Sequence, residues 1–208
     1  NMDRKAGSLG VAAGFSFFST KVMTTGEGGM VTTNDQSLVE KMKSIREFGK
    51  VKKGIYTNYH TSLGYNWRMP EVSALMGIRQ LLSIESFINE RKKIAEIYDS
   101  FLCHEKKIRI ISPSSNSRFN NFKYIIILNE ADRESVHHSL QELGISMSGY
   151  VYELPLHKQP VFKPYNHISL PKTEYLCSQH ICLPIYPELS KEDAEYISKS
   201  LIDVISLT

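Results

Sequence analysis

No apolar run in the sequence approaches the roughly 18 residues that a membrane-spanning helix requires, and the opening residues show no basic-then-apolar pattern of the secretory kind. Membrane insertion and export are therefore not expected, and the chain reads as cytoplasmic. Cysteine is scarce: Cys103, Cys177 and Cys182 are odd in number and fall in neither CxxC nor metal-ligand spacing. A disulfide framework and a cysteine-based metal site are both excluded; the thiols read as small buried groups in a reducing compartment. Charge of one sign is also lacking. A net charge of +3 gives no footprint for nucleic acid, and Lys50, Lys52 and Lys53 read as a solvated loop. There are no internal repeats. Gly26, Gly28 and Gly29 match neither GxGxxG nor GxxxxGK[ST], and a strand rather than a helix follows them. They read as a tight turn that places Glu27 beside the preceding segment.

What is present is the composition of a globular protein. The 208 residues are 41% hydrophobic and 23% charged, enough for one sizeable core or two small ones. Strands are expected over 12–18 and 29–33, flanking a turn that contains Lys21. Asn34 or Asp35 caps a helix with Leu38, Val39, Met42 and Ile45 at helical spacing. The stretch 48–66 has no period and reads as a long loop. Pro70 opens a long helix with Val72, Leu75, Ile78 and Leu82 on one face, continuing with or without a break through Phe87, Ile94, Ile97 and Phe101. Beyond Lys107 strands are expected near 108–111, 122–128, 146–152 and 181–183. Helices are expected over 133–143, closed by Gly144, over 172–179, and after Ser190, with a loop at 163–166.

The chemistry concentrates at Lys21. An apolar, aromatic strand leads to it, and a lysine at the end of a buried strand is unusual, because burial penalises its charge and favours the neutral amine. That is the setting for Schiff-base chemistry with a carbonyl. Taken alone, the residue reads as a solvated lysine at a strand end rather than a catalytic one.

The whole run from Gly14 to Asp35 resembles the lysine segment of the DegT/DnrJ/EryC1/StrS family of pyridoxal-phosphate-dependent sugar aminotransferases. Three further blocks resemble that family in the same order. They are Gly64-Tyr65-Asn66-Trp67-Arg68-Met69 with the helix through Ala74 and Gly77 to Gln80, then 152–160 containing Tyr152 and His157, then Leu183 to Pro187 running into the last helix.

The resemblance implies a cofactor, pyridoxal 5'-phosphate, held by Lys21, with the freed amine moving a proton during transamination. Some relatives that eliminate a hydroxyl group carry histidine at this position, so lysine implies amino transfer. Ser16 would donate to the cofactor phosphate; on the residues alone it is a packing serine. Asn66 would reach the cofactor phosphate of a second subunit; alone it is a turn or cap residue. Arg68 would bind the donor carboxylate or a nucleotide phosphate; alone it is a surface arginine. Tyr152 and His157 would face the substrate; alone they are a core aromatic and a half-buried histidine. Trp67 reads as a stacking or an interface residue. No metal site is implied.

The implied fold is α/β: the C-terminal portion of a fold type I transferase, with a partial large domain over 1–85 and a complete small α/β domain over 86–208. Two strands before residue 86 are too few for a cofactor domain's parallel sheet, so the chain is expected to be a C-terminal half. The implied activity passes an amino group from an amino acid, glutamate, to a keto-sugar nucleotide in amino-sugar biosynthesis for surface polysaccharides or antibiotics. The implied partner is a second copy in a homodimer, or a missing N-terminal half. Two other readings stay open: an inactive truncated homologue acting as an interaction or regulatory protein, and one chain of a split enzyme.

Overall fold

The computed structural model describes residues 4–113 and 117–207. The chain divides into two compact units between Ile84 and Glu85.

In the first unit, strand β1 (Ala12–Ser16) pairs antiparallel with β2 (Gly29–Thr33), Ser16 opposite Gly29 and Ala12 opposite Thr33. Helix α1 (Gln36–Arg46) follows, its first turn capped by Asp35, whose carboxylate accepts from the Ser37 and Leu38 amides. The expected loop at 48–66 is instead a hairpin, β3 (Lys50–Lys53) with β4 (Tyr56–His60), reversing through Gly54 and Ile55. Both of its faces are largely exposed, so no apolar alternation marks it in the sequence. Helix α2 (Glu71–Leu102) then runs unbroken past the point where the units divide.

Among the described residues of this first unit, none of the apolar side chains is fully buried. Phe15, Phe18, Met30 and Val31 on and beside the β1–β2 hairpin are exposed, as are Val72, Leu75, Ile78 and Leu82 along α2. This corrects the expectation of a buried strand leading to Lys21. A two-stranded ribbon has no second layer to cover it, so its apolar residues face outward.

The second unit holds the core. Strands β5 (Ile108–Ile110), β6 (Tyr124–Leu128) and β7 (His180–Leu183) form an antiparallel sheet in that order, with Ile108 opposite Leu128 and Tyr124 opposite Leu183. Helix α3 (Arg133–Glu142), α4 (Pro171–Gln179) and α5 (Lys191–Leu207) complete it. One continuous apolar cluster joins Ile94, Tyr98 and Leu102 of α2, Ile126 and Leu128 of β6, Val136 and Leu140 of α3, Ile181 and Leu183 of β7, and Ala194, Leu201 and Val204 of α5. Two polar anchors lock α2 onto it: Tyr98 Oη donates to Pro184 O at 2.6 Å and Arg91 Nη1 donates to Ile185 O at 2.6 Å.

Two expectations here also need correction. Residues 146–152 form no strand, because Gly149 has φ +70° and the extended path ends there. The expected loop at 163–166 is mostly taken up by a 3-10 turn over Pro160–Tyr165, next to another over Leu156–Lys158. Among the described residues no helix is long and apolar enough to cross a membrane.

Candidate active site

Lys21 sits on an excursion between β1 and β2 that is pinched at its base. Phe17 N donates to Gly28 O at 2.9 Å, while Phe17 O accepts from Thr25 N at 2.9 Å and from Thr24 Oγ1 at 3.1 Å. Inside the pinch, Lys21 N donates to Phe18 O at 3.0 Å, so the lysine occupies a turn rather than a strand end, and its side chain is half-buried. Ser16, the last residue of β1, lies just before the pinch; its Oγ accepts from Phe18 N at 3.4 Å.

The loop is seated on α2. Thr24 N donates to Gln80 Oε1 at 3.4 Å, and Thr25 is buried against Gly77, where a Cβ would stand only 2.9 Å from Thr25 Cγ2. Glycine at 77 therefore lets the lysine loop approach the helix backbone. The methyl of Met69 lies 3.2 Å from where a Cβ on Gly28 would be. The first two sequence blocks thus pack on each other through Thr24, Thr25 and Gly28 on one side and Met69, Gly77 and Gln80 on the other.

Asn66 and Arg68 stand on a segment zipped to the end of α1. Tyr65 N donates to Ile45 O at 2.7 Å, Phe48 N to Tyr65 O at 3.0 Å and Trp67 N to Arg46 O at 3.0 Å. The rings of Tyr65 and Trp67 stack at 4.2 Å. Arg68 Nε donates to Asn66 Oδ1 at 3.2 Å, and its guanidinium lies over the Phe48 ring and 3.8 Å from Glu47 Oε1. With its carbonyl engaged, Asn66 has its NH2 group as the donor for an anion.

Tyr152 and His157 belong to the second unit. Tyr152 is exposed, whereas His157 is buried with Nε2 2.9 Å from Glu174 Oε1. Glu174 also accepts from Leu170 N at 2.9 Å, and that bond, then the one to His157, holds its carboxyl below the usual range. The structure therefore joins Asn66 with Arg68, sets Ser16 and Lys21 on one segment, and carries Tyr152 and His157 on the other unit. Gln80, which orients the lysine loop, closes the second family block, whereas Glu47 and Glu174, which orient Arg68 and His157, are not picked out by the sequence. An isolated acidic residue on a helix or at its end carries no pattern of its own.

The donor set can be tested against the cofactor that the resemblance implies. An aldehyde needs a primary amine, and a phosphate monoester needs neutral or cationic donors. Lys21 provides the first, and Ser16 Oγ and the Asn66 NH2 provide the second. In kind, these residues fit both ends of that molecule.

Residues 1–202 match the model of the DegT/DnrJ/EryC1/StrS aminotransferase family. A pleiotropic regulatory protein of Geobacillus stearothermophilus is 34% identical over 201 residues, 95% of this chain and 52% of the relative. A GDP-perosamine synthase of Escherichia coli O157:H7 is 31% identical over 96% of this chain and 53% of its own length. Among solved structures, Helicobacter pylori PseC, an aminotransferase involved in pseudaminic acid biosynthesis, superposes with TM-score 0.90 at 26% identity, over 100% of this chain and 57% of PseC. The chain spans about half the length of the curated relatives it matches. Its α/β fold is that of the fold type I, pyridoxal-phosphate-dependent aminotransferases. The chain belongs to the DegT/DnrJ/EryC1/StrS aminotransferase family.

Proposed function

We propose that this chain carries the lysine-bearing part of a pyridoxal-phosphate-dependent aminotransferase that moves an amino group from an amino acid, glutamate, to a nucleotide-linked keto sugar. The observation that carries this reading is the seating of the Lys21 loop on α2, Thr25 against Gly77, in a chain of an aminotransferase family. Among the relatives, the synthase of E. coli O157:H7 is named for GDP-perosamine, and a Helicobacter pylori relative is a transaminase named for a UDP-linked amino sugar.

When bound, the cofactor supplies an electron sink that lets a proton leave the carbon bearing nitrogen. Lys21 holds the cofactor's aldehyde end through Nζ. As a free amine, Lys21 Nζ would shuttle the proton between the substrate carbon and the cofactor, removing it from the donor α-carbon in one half and returning one to the sugar carbon in the other. Ser16 Oγ and the Asn66 NH2 donate to the phosphate. Arg68 pairs its fork with the donor carboxylate or a nucleotide phosphate. Tyr152 presents its ring to the sugar, and His157, braced by Glu174, shapes the segment that follows it. A second copy supplies Asn66 across a dimer interface, and the part of the fold that makes up the rest of a relative's length covers the exposed faces of residues 4–84. The setting is cytoplasmic, with the three cysteines unpaired; Cys177 and Cys182 are buried, whereas Cys103, expected to be buried as well, is exposed.

The test is an absorbance scan of the chain with added pyridoxal phosphate, then borohydride reduction and peptide mapping. The expected result is a reducible visible or near-ultraviolet band and a stable label on Lys21, lost in Lys21→Ala. Labelling spread over surface lysines, or unchanged in Lys21→Ala, would overturn the assignment. A second reading, an interaction or regulatory protein, draws on the name of the Geobacillus relative and on the uncovered apolar surface of the first unit. It expects a folded chain that takes no label at Lys21.

A further inference from the structure

Residues 148–152 run beside β7 without joining the sheet, and side chains tie them there. Ser148 N donates to Cys182 O at 3.1 Å, Ser148 Oγ to Leu183 O at 2.9 Å, and Lys123 Nζ to Ser148 O at 2.6 Å. Past Gly149 the tie is a histidine ring: Val151 N donates to His180 Nε2 at 2.8 Å. The other ring nitrogen, Nδ1, lies 2.7 Å from Leu176 O. A carbonyl oxygen only accepts and an amide N–H only donates, so these partners assign the proton to Nδ1 and leave Nε2 as a bare acceptor. The ring must be neutral for both bonds to exist.

A proton added at Nε2 would face the Val151 N–H, turning that contact from attraction to repulsion. It would also create a cation on a residue that is 5% exposed. Its surroundings oppose that charge. Burial is the main reason that His180 holds its proton less tightly than an ordinary histidine; Arg133 and Lys123 add to the effect, and the carbonyls of Leu176 and Cys177 work against it. From α3, Arg133 lies over the Tyr150 ring at 4.3 Å and donates to Cys177 O, while also pairing with Glu134. His137, on the same helix, meets Tyr150 edge-on, and Tyr150 meets His180 the same way at 5.6 Å. Cys182 on β7 and Glu153 after the segment complete the titratable groups around the Tyr150–His180 pair.

We propose that His180 is a proton-operated latch on Tyr152: neutral, it holds residues 150–152 beside β7, and protonated, it releases them. The consequence for substrate rests on the reading of Tyr152 as a sugar-facing residue. His180 is then a positioning residue that acts through its neighbours.

The test follows the His180 ring nitrogens and the Val151 amide of the 208-residue chain by NMR from about pH 8 down through the His180 transition, which lies below the ordinary histidine range. The expected result is an unprotonated Nε2 at the high end. Protonation of His180 should then coincide with a shift of the Val151 amide and about tenfold faster exchange there, with Ile126 in β6 unmoved. His180→Gln, which cannot titrate, should make Val151 independent of pH. Protonation that leaves Val151 unchanged, or a hydrogen on Nε2 at high pH, overturns the latch, and the wild-type titration decides this even where the variant fails to fold. A second arm measures affinity for UDP-N-acetylglucosamine as a nucleotide-sugar probe. Weaker binding below the transition, matched by Tyr152→Ala, supports the link to substrate. An effect of Tyr152→Ala with none of pH overturns that link. No effect of either disproves the sugar-facing role while the NMR result still stands for the latch.

Discussion

Arg68 Nε donates to Asn66 Oδ1 at 3.2 Å, which turns the amide so that its NH2 group is the part available to an anion. A carboxylate at 66 would keep the arginine contact but exchange the donor for a negative charge. Asn66→Asp is therefore expected to weaken pyridoxal phosphate binding more than Asn66→Ala does. The loss of one hydrogen bond in the alanine variant corresponds to about 1 kcal/mol, near fivefold, and the charge adds to it in the aspartate variant. Fluorescence titration with the cofactor measures both, and an aspartate variant that binds as tightly as wild type would remove Asn66 from the phosphate site.

Gly77→Ala should disturb the lysine loop although it lies far along the sequence from Lys21. The new Cβ would stand 2.9 Å from Thr25 Cγ2, and Thr25 is held by its amide bond to Phe17 O and its hydroxyl bond to Glu27 O. Alanine in a helix gains up to about 1 kcal/mol over glycine, whereas overpacking costs about 1–3 kcal/mol. The net expectation is a small loss of stability with a clear loss of borohydride-fixed label at Lys21. A variant that is more stable and labels as well as wild type would show that the loop can yield.

Tyr98→Phe should destabilise the second unit. The hydroxyl is buried and its acceptor, Pro184 O, lies just after β7; removal leaves that carbonyl unsatisfied at a cost of about 1–3 kcal/mol. Urea unfolding should show a lower midpoint with an unchanged slope.

The second unit was largely legible in the sequence because its elements bury one face each. Ala194, Ile197, Leu201 and Val204 recur at helical spacing and all lie in the core. The 124–128 strand reads as a continuous apolar run because both of its faces are covered, with Ile126, Ile127 and Leu128 all buried. The first unit was less legible. Its β3–β4 hairpin leaves both faces largely exposed, so no period separates it from a loop. The exposure of Phe15 and Met30 was invisible too, since an apolar strand is apolar whether its cover lies in the same chain or elsewhere. At the candidate site, Lys21 and Asn66 stood out through family blocks. Glu174 and Glu47 act through geometry alone, which spacing does not encode.

The His157–Glu174 contact predicts a pH dependence. The Leu170 amide and His157 hold the Glu174 carboxyl below its ordinary value, so the folded state binds its proton less readily than the unfolded chain. The stability this contributes is present above the ordinary glutamate range and is lost as pH falls through the lowered value. Glu174→Gln should flatten that part of the acid limb. Thermal melts of both proteins over the acid range measure the difference, and parallel acid limbs would remove Glu174 as its source.

Association is the last expectation. Val72, Leu75, Ile78 and Leu82 form one stripe along α2, each between 57% and 75% exposed. Full burial of four such side chains is worth roughly 1.5–3 kcal/mol each, on the order of 6–12 kcal/mol together. That is comparable to the whole stability of a small domain, and apolar patches of this kind mark surfaces that bind another surface. None of the four belongs to the core cluster of the second unit, so charging the stripe should not unfold that unit. The wild-type chain is expected to self-associate, or to bind a polypeptide that supplies the remaining half of a relative's length. Leu75→Glu with Leu82→Glu should give a monomer whose second unit keeps its thermal transition. Light scattering over a concentration series checks this. A wild-type chain that stays a monodisperse monomer at high concentration, with no affinity for such a polypeptide, would mean that the stripe is tolerated in water and the first unit stands without cover.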